Sequence, residues 1–247
     1  MALKTTLNYS PNFNSKKRNS KQIKLIIFHY TGMKSESKAI NRLTDIQSEV
    51  SCHYLIKNNG EIINIVPDLY TAWHAGKSSW RSFKSLNKNS IGIEITNPGH
   101  EFGYKKFSKN QISSLFKLSK FLIKKYKIDN KNILGHSDIA PLRKKDPGEK
   151  FPWEYLSKNK IGLWHKLKNQ ELIKNRKLKI NKIEEQLFFN NLVKIGYEKK
   201  FLKNEDKTRY LRELVKNFQR RFRQKLVNGK IDKECLLISI NLLKRYN

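Results

Sequence analysis

The sequence predicts an α/β fold: a mixed central β-sheet flanked by helices, followed by a small three-helix domain. Three observations carry this. Apolar runs of strand length alternate with helical patterns through the first two thirds of the chain. Two of those runs are joined by Asn58, Asn59 and Gly60, an antiparallel hairpin signal, so the sheet is mixed. Strand signals cease after Trp164, where only amphipathic helical spacing continues.

Residues 1–21 are basic, polar and without periodicity, and read as a flexible arm. Ile23 to Phe28 has almost no polar face and reads as a buried strand. A helix is expected from Ser35, with Ala39, Ile40, Leu43 and Ile46 on one stripe. Cys52 to Lys57 and Glu61 to Val66 are the hairpin strands, and Ile91 to Ile95 is another strand. Ser108 and Gln111 form a capping box that opens a helix running to Tyr126. Lys131 to Leu134 is a short strand leading into His136. Residues 22–165 thus make one domain, and the Lys- and Asn-rich stretch 166–180 reads as a linker. Residues 181–247 hold three helices, at Asn181 to Ile195, Asp206 to Arg223 and Asp232 to Tyr246, with Asp206 and Asp232 as N-caps.

Fifty-two Lys and Arg against 21 Asp and Glu leave a formal charge of +31. Such a surface either serves an anionic partner or reflects the Lys, Asn and Ile bias of the whole chain. The lysines are interleaved with Asn rather than aromatics and carry no nucleic-acid motif, so no specific nucleic acid is expected. Two cysteines, Cys52 and Cys235, supply neither a disulfide framework nor a thiolate metal site. The first 21 residues lack a signal-peptide core and no apolar run is long enough to span a bilayer. A cytoplasmic monomer without a transmembrane segment is expected, with the periplasm or cell envelope as the alternative.

The chemistry gathers around three residues. His29 ends the first strand, His136 follows a later one, and Asp146 lies ten positions beyond His136. Two neutral imidazoles and a carboxylate suit one Zn²⁺ ion and leave a fourth position for water, the donor set of a hydrolase. Glu94 alternates with Ile91, Ile93 and Ile95 and so points to the other face of its strand. By periodicity alone it is a solvent-facing residue.

Five collinear stretches, I-I-F-H-Y-T (26–31), V-S-C-H-Y-L-I (50–56), A-W-H-A-G (72–76), N-S-I-G-I-E (89–94) and the run from His136 to Trp153, resemble the type 2 zinc-dependent N-acetylmuramoyl-L-alanine amidases of the AmpD and AmiD branch. The resemblance implies hydrolysis of the amide between the lactyl group of N-acetylmuramic acid and L-alanine, in peptidoglycan or muropeptides. It implies His29, His136 and Asp146 as metal ligands, Glu94 as general base and then acid, and Lys144 as the cation facing the developing oxyanion. Substrate contacts are expected from Tyr30, Thr31, Trp73, His74, Trp80, Arg81, Asn87 and Arg143. Among these Trp80, in polar sequence, reads as a groove wall, while Arg81, Asn87 and Arg143 are available for carboxylate or carbonyl contacts. Cys52 and His53 read as structural, and His100 and His165 as surface residues. Val215 to Asp232 is similar to the F-Q and G-x-[LIV]-D pattern of three-helix peptidoglycan-binding domains. The rival reading is a recognition protein that binds muropeptides without cutting them.

Overall fold

The computed structural model describes residues 4–199 and 204–246. A six-stranded sheet lies at its centre, built from β1 (Thr6–Leu7), β3 (Leu25–Tyr30), β4 (Tyr54–Ile56), β5 (Ile62–Asn64), β9 (Ser90–Ile95) and β10 (Ile133–Gly135), in the order β1-β5-β4-β9-β3-β10. Only β4 and β5 pair antiparallel, the hairpin read from Asn58 to Gly60; the other pairings are parallel. Two small ribbons, β2 (Phe13–Asn14) with β6 (Thr71–Ala72) and β7 (Ser79–Trp80) with β8 (Phe83–Lys84), shape the loops beside it.

Alternation along the strands assigns each face a separate core. Ile26 and Phe28 of β3, Ile91, Ile93 and Ile95 of β9 and Ile133 of β10 pack under α2 (Lys109–Tyr126), through Leu115, Leu118 and Leu122, and against Trp153 at the start of α4 (Trp153–Lys158). The capping box at Ser108 and Gln111 forms as expected. Leu25, Ile27 and Leu134 face the other way. They share one buried cluster with α6 (Lys182–Ile195), α7 (Asn204–Phe222) and α8 (Lys233–Tyr246), through Phe188, Leu192, Phe218 and Leu242. The carboxyl-terminal helices therefore form a layer against the sheet, with a core continuous with it.

Several local expectations are corrected. From Lys4 onward the basic arm is built into the fold: β1 pairs with β5, Ser10 N–H donates to the Ile65 carbonyl at 3.0 Å, and Asn12 is buried. Backbone pairing and buried polar groups order it, neither of which leaves a hydrophobic period. Helix α1 (Glu36–Thr44) stops before Ile46, which is 63% exposed, because Asp45 is extended and caps the next turn. Asp206 lies inside α7, which starts at Asn204, whereas Asp232 does cap α8 by accepting from Cys235 N–H at 3.0 Å. The stretch read as a linker contains α5 (Asn169–Asn175), and Arg176 makes a two-pronged contact with Glu234, both bonds 2.7 Å. Among the described residues no helix is long and apolar enough to cross a membrane.

Arg18 is the main fastener of the arm. Its guanidinium donates to the carbonyls of Asp68, Asn87, Lys88 and Ser90, bonds of 2.8 to 3.2 Å, and so ties the arm to the turn that feeds β9. Removing it leaves buried carbonyls unpaired. Arg18→Met is expected to cost about 3 kcal/mol, read as a lower denaturant midpoint with an unchanged slope.

Candidate active site

The register of three parallel strands sets the site. His29 on β3 is paired with Glu94 on β9, and Gly135 on β10 with Phe28, so His136 follows at the level of His29. Residues paired across parallel strands project to one side. Glu94, His29 and His136 thus form a row at the carboxyl ends of adjacent strands, where open α/β sheets place their ligands. The His136 loop, α3 (His136–Ile139) included, returns to bring Asp146 over this row, its carbonyl accepting from Ser137 N–H at 2.9 Å.

Three donor atoms meet there. His29 Nδ1 lies 2.9 Å from His136 Nδ1, and each of these nitrogens is 3.1 Å from Asp146 Oδ2. All three residues are buried. Hydrogen bonds behind them determine which nitrogens carry protons. The Leu86 carbonyl can only accept, so Ser90 Oγ donates to it at 2.7 Å and in turn accepts from His74 Nε2–H at 3.1 Å. His74 Nδ1 must then accept from His29 Nε2–H at 3.0 Å, which turns the His29 Nδ1 lone pair into the triangle. His136 Nε2–H donates to the Ala75 carbonyl at 3.2 Å, so its Nδ1 lone pair points inward as well.

Burial, reinforced by His136, lowers the His29 imidazole to about 4, so it is neutral at pH 7. Burial alone would raise Asp146, but positive charge facing it from the side of His136 and His29, the place a bound cation would take, holds the carboxyl well below the usual range. Three inward-facing acceptors at about 3 Å repel one another unless a cation sits among them. That, with the N, N, O chemistry of the donors, is what a single divalent metal ion satisfies.

Glu94 stands beside the triangle in a cavity of about 410 Å³ that Lys144, Arg143 and Tyr30 also line. Its Oε2 is buried without a hydrogen-bond partner. Burial pushes the carboxyl up to about 8, with Asp146 adding to the rise and Lys144 opposing it. The periodic reading of a solvent-facing Glu is corrected, since this face of β9 is covered by the loops that build the cavity.

The expected substrate residues divide. Tyr30, Thr31, His74 and Arg143 line the cavity with His136 and Asp146 of the donor triangle. Arg143 also donates to the Ala75 and Lys77 carbonyls at 3.1 and 2.6 Å, holding the strand-like loop against which His136 leans. Trp80 is not a groove wall: it is fully buried against Tyr197 and Tyr246. Arg81 donates to the Ile195 carbonyl at 3.0 Å and lies over the Tyr246 ring, away from the cavity. Asn87 accepts from the His74 and Ala75 N–H groups at 3.1 and 2.7 Å and shapes the loop beneath the site. Trp73 donates through its indole to Asn14 at 2.7 Å and lies outside the cavity lining.

His100, read as a surface residue, lines the cavity, stacked on Tyr104 at 4.4 Å and placed between Tyr30 Oη at 2.9 Å and Glu149 at 3.0 Å. Nothing in its local sequence marks it. His165 is also buried, against Trp164. Gly92 explains a position of its motif that periodicity cannot: a Cβ there would lie 2.4 Å from the His74 ring.

A mixed sheet with a His, His, Asp triangle and an unpartnered Glu oxygen at its strand ends is the arrangement that a metal-assisted hydrolase requires. The family model for N-acetylmuramoyl-L-alanine amidases matches residues 19–149. The chain is 35% identical over 237 residues to N-acetylmuramoyl-L-alanine amidase AmiD of Escherichia coli K12, a match that spans 91% of this chain and 84% of that one. It is 35% identical over 167 residues to the 1,6-anhydro-N-acetylmuramyl-L-alanine amidase AmpD of Haemophilus influenzae, over 60% of this chain and 88% of that one.

The solved complex of E. coli AmiD with anhydro-N-acetylmuramic acid-L-Ala-D-γ-Glu-L-Lys matches with a TM-score of 0.78 at 35% identity, over 91% of this chain and 90% of that one. AmpDh3 of Pseudomonas aeruginosa, in complex with anhydromuramic pentapeptide, matches at 0.78 and 28% identity, over 96% and 97%. The chain belongs to the N-acetylmuramoyl-L-alanine amidase family.

The Ser90 and His74 relay should be visible as metal affinity. His74→Ala frees the His29 ring to take the other tautomer, and a loss of about 10- to 100-fold in Zn²⁺ affinity is expected in competition with a chromophoric chelator. Affinity equal to wild type would show that the relay does not orient His29.

Proposed function

We propose that this amidase uses one Zn²⁺ ion, held by His29, His136 and Asp146, to cleave the bond between the lactyl group of N-acetylmuramic acid and L-alanine in peptidoglycan fragments. The observation that carries the reading is the triangle of three inward-facing acceptors with an unpartnered carboxyl oxygen of Glu94 beside it. Bound there, such an ion supplies Lewis acidity, lowering the pKa of a water to roughly 7 and polarising the scissile carbonyl.

The chain's own groups do the rest. A carboxyl with a proton affinity near neutrality both takes and gives a proton. Glu94 accepts one from the attacking water and delivers it to the departing L-alanine nitrogen. The Lys144 ammonium, on the cavity wall, faces the carbonyl oxygen as its charge grows. Tyr30, Thr31, His100 and Arg143 orient the sugar and peptide arms. The muramyl peptides held by the AmiD and AmpDh3 complexes support muropeptides as the substrate class. The formal charge of +31 favours encounter with anionic wall fragments. A recognition protein that binds without cutting would not need the complete ligand set together with Glu94 and Lys144.

Mass spectrometry of purified peptidoglycan treated with the zinc-loaded protein tests the reading: free stem peptides are expected, and none from His136→Ala. Release of sugar fragments instead, or of nothing, would overturn it. Lys144→Ala should lower kcat by about 10²- to 10³-fold while leaving the thermal midpoint in place.

Glu94 also predicts a pH signature in metal-free protein. Its folded pKa is raised above the ordinary 4.5, so the stability it contributes is complete below that value and is lost as pH rises through about 8. Under chelation Glu94→Gln should match wild type in Tm near about pH 5 and exceed it increasingly toward about pH 9. Parallel Tm curves across that range would show that the fold does not raise the proton affinity of Glu94.

A further inference from the structure

The carboxyl-terminal helical layer grips the loop that carries His136, Lys144 and Asp146. Asn217 of α7, fully buried, donates to the Pro141 carbonyl at 2.8 Å and reaches the Lys144 carbonyl at 3.4 Å. One turn further on, Arg221 pairs with Asp138, donates to the Ile133 carbonyl at 3.0 Å and lies over the Trp153 ring at 4.3 Å. Tyr197, just beyond α6, donates its hydroxyl to the other Asp138 oxygen at 2.8 Å. Asp138 in turn accepts from Gly135 N–H at 2.8 Å, in the turn that aims His136. These contacts flank the metal-binding imidazole on one side and the Lys144 backbone on the other.

Adhesion alone does not account for them. Phe188, Leu192, Phe218 and Leu242 already supply apolar burial between the layer and the sheet. A buried ion pair adds little net stability over apolar packing, but it is selective about geometry, because each charge must meet its partner with its remaining hydrogen bonds made. Here that selectivity is directed at the backbone between β10 and Asp146.

We propose that α7 is a positioning element of the catalytic loop: Asn217 and Arg221 hold the backbone on either side of His136 and Lys144 so that both side chains face the site. The proposal rests on the amidase reading for what the loop does, not for how it is held. On this view the helices beyond residue 180 act on turnover itself, whatever they contribute to holding a wall polymer.

Full-length Asn217→Ala and the pair Arg221→Met with Asp138→Asn test it. The first deletes the two hydrogen bonds to the loop carbonyls, one accepted from Arg220, and little volume; the second replaces the ion pair without leaving a lone buried charge. With a small soluble muropeptide, kcat is expected to fall by about 10- to 100-fold in folded Asn217→Ala, with KM and co-sedimentation with peptidoglycan within about two-fold of wild type. The visible spectrum of the Co²⁺-loaded variant should change as the His136 donor shifts.

Wild-type kcat and an unchanged Co²⁺ spectrum in a folded variant would overturn the proposal. So would loss confined to polymer co-sedimentation, which would make the layer an anchor only. If wild type itself releases no stem peptide, the amidase reading fails instead, and the Co²⁺ spectrum still decides whether α7 positions the loop.

Discussion

The arrangement turns on three electron-pair donors held within about 3 Å of one another in a buried place. Left to themselves they repel, and the fold opposes that repulsion from behind. The Leu86 carbonyl orders Ser90, His74 and then His29; the Ala75 carbonyl orders His136; Ser137 N–H, donating to the Asp146 carbonyl, holds Asp146 over the row. The restraints on His29 and His136 meet at the adjacent His74 and Ala75, so the site is the place where segments distant in sequence are forced to agree.

The two faces of the sheet divide the work. The face under α2 is apolar along its whole length and gives β3, β9 and β10 a common support. The opposite face is apolar only toward the beginnings of the strands, where Leu25, Ile27 and Leu134 meet the carboxyl-terminal helices, and becomes chemical at their ends. Glu94, near the carboxyl end of β9, is tolerable there because burial and the neighbouring Asp146 favour its neutral form, an effect that Lys144 only partly offsets.

Motif and period carried much of the architecture. The hairpin at Asn58 to Gly60, the capped helix α2 and the strands β3, β9 and β10 stand where their patterns place them, to within a few residues at the ends. Two members of the donor triangle were legible because His29 and His136 each stand at the carboxyl end of a strand. Trp80 and Arg81 were misplaced for one reason: a polar neighbourhood in sequence says nothing about a helix more than a hundred residues later that covers it. His100 was missed for the converse reason, since its importance comes from Tyr30, Tyr104 and Glu149 arriving around it.

The sequence by itself therefore determined the residues of the donor triangle, the strands that present two of them and the family to which the chain belongs, because donor chemistry and local periodicity are properties of single segments. The tertiary structure alone decided which nitrogen of each imidazole is free, which carboxyl is starved of partners and which helix bears on the catalytic loop. Those are set by contacts at the scale of a hydrogen bond between residues far apart in the chain, and no local pattern encodes them.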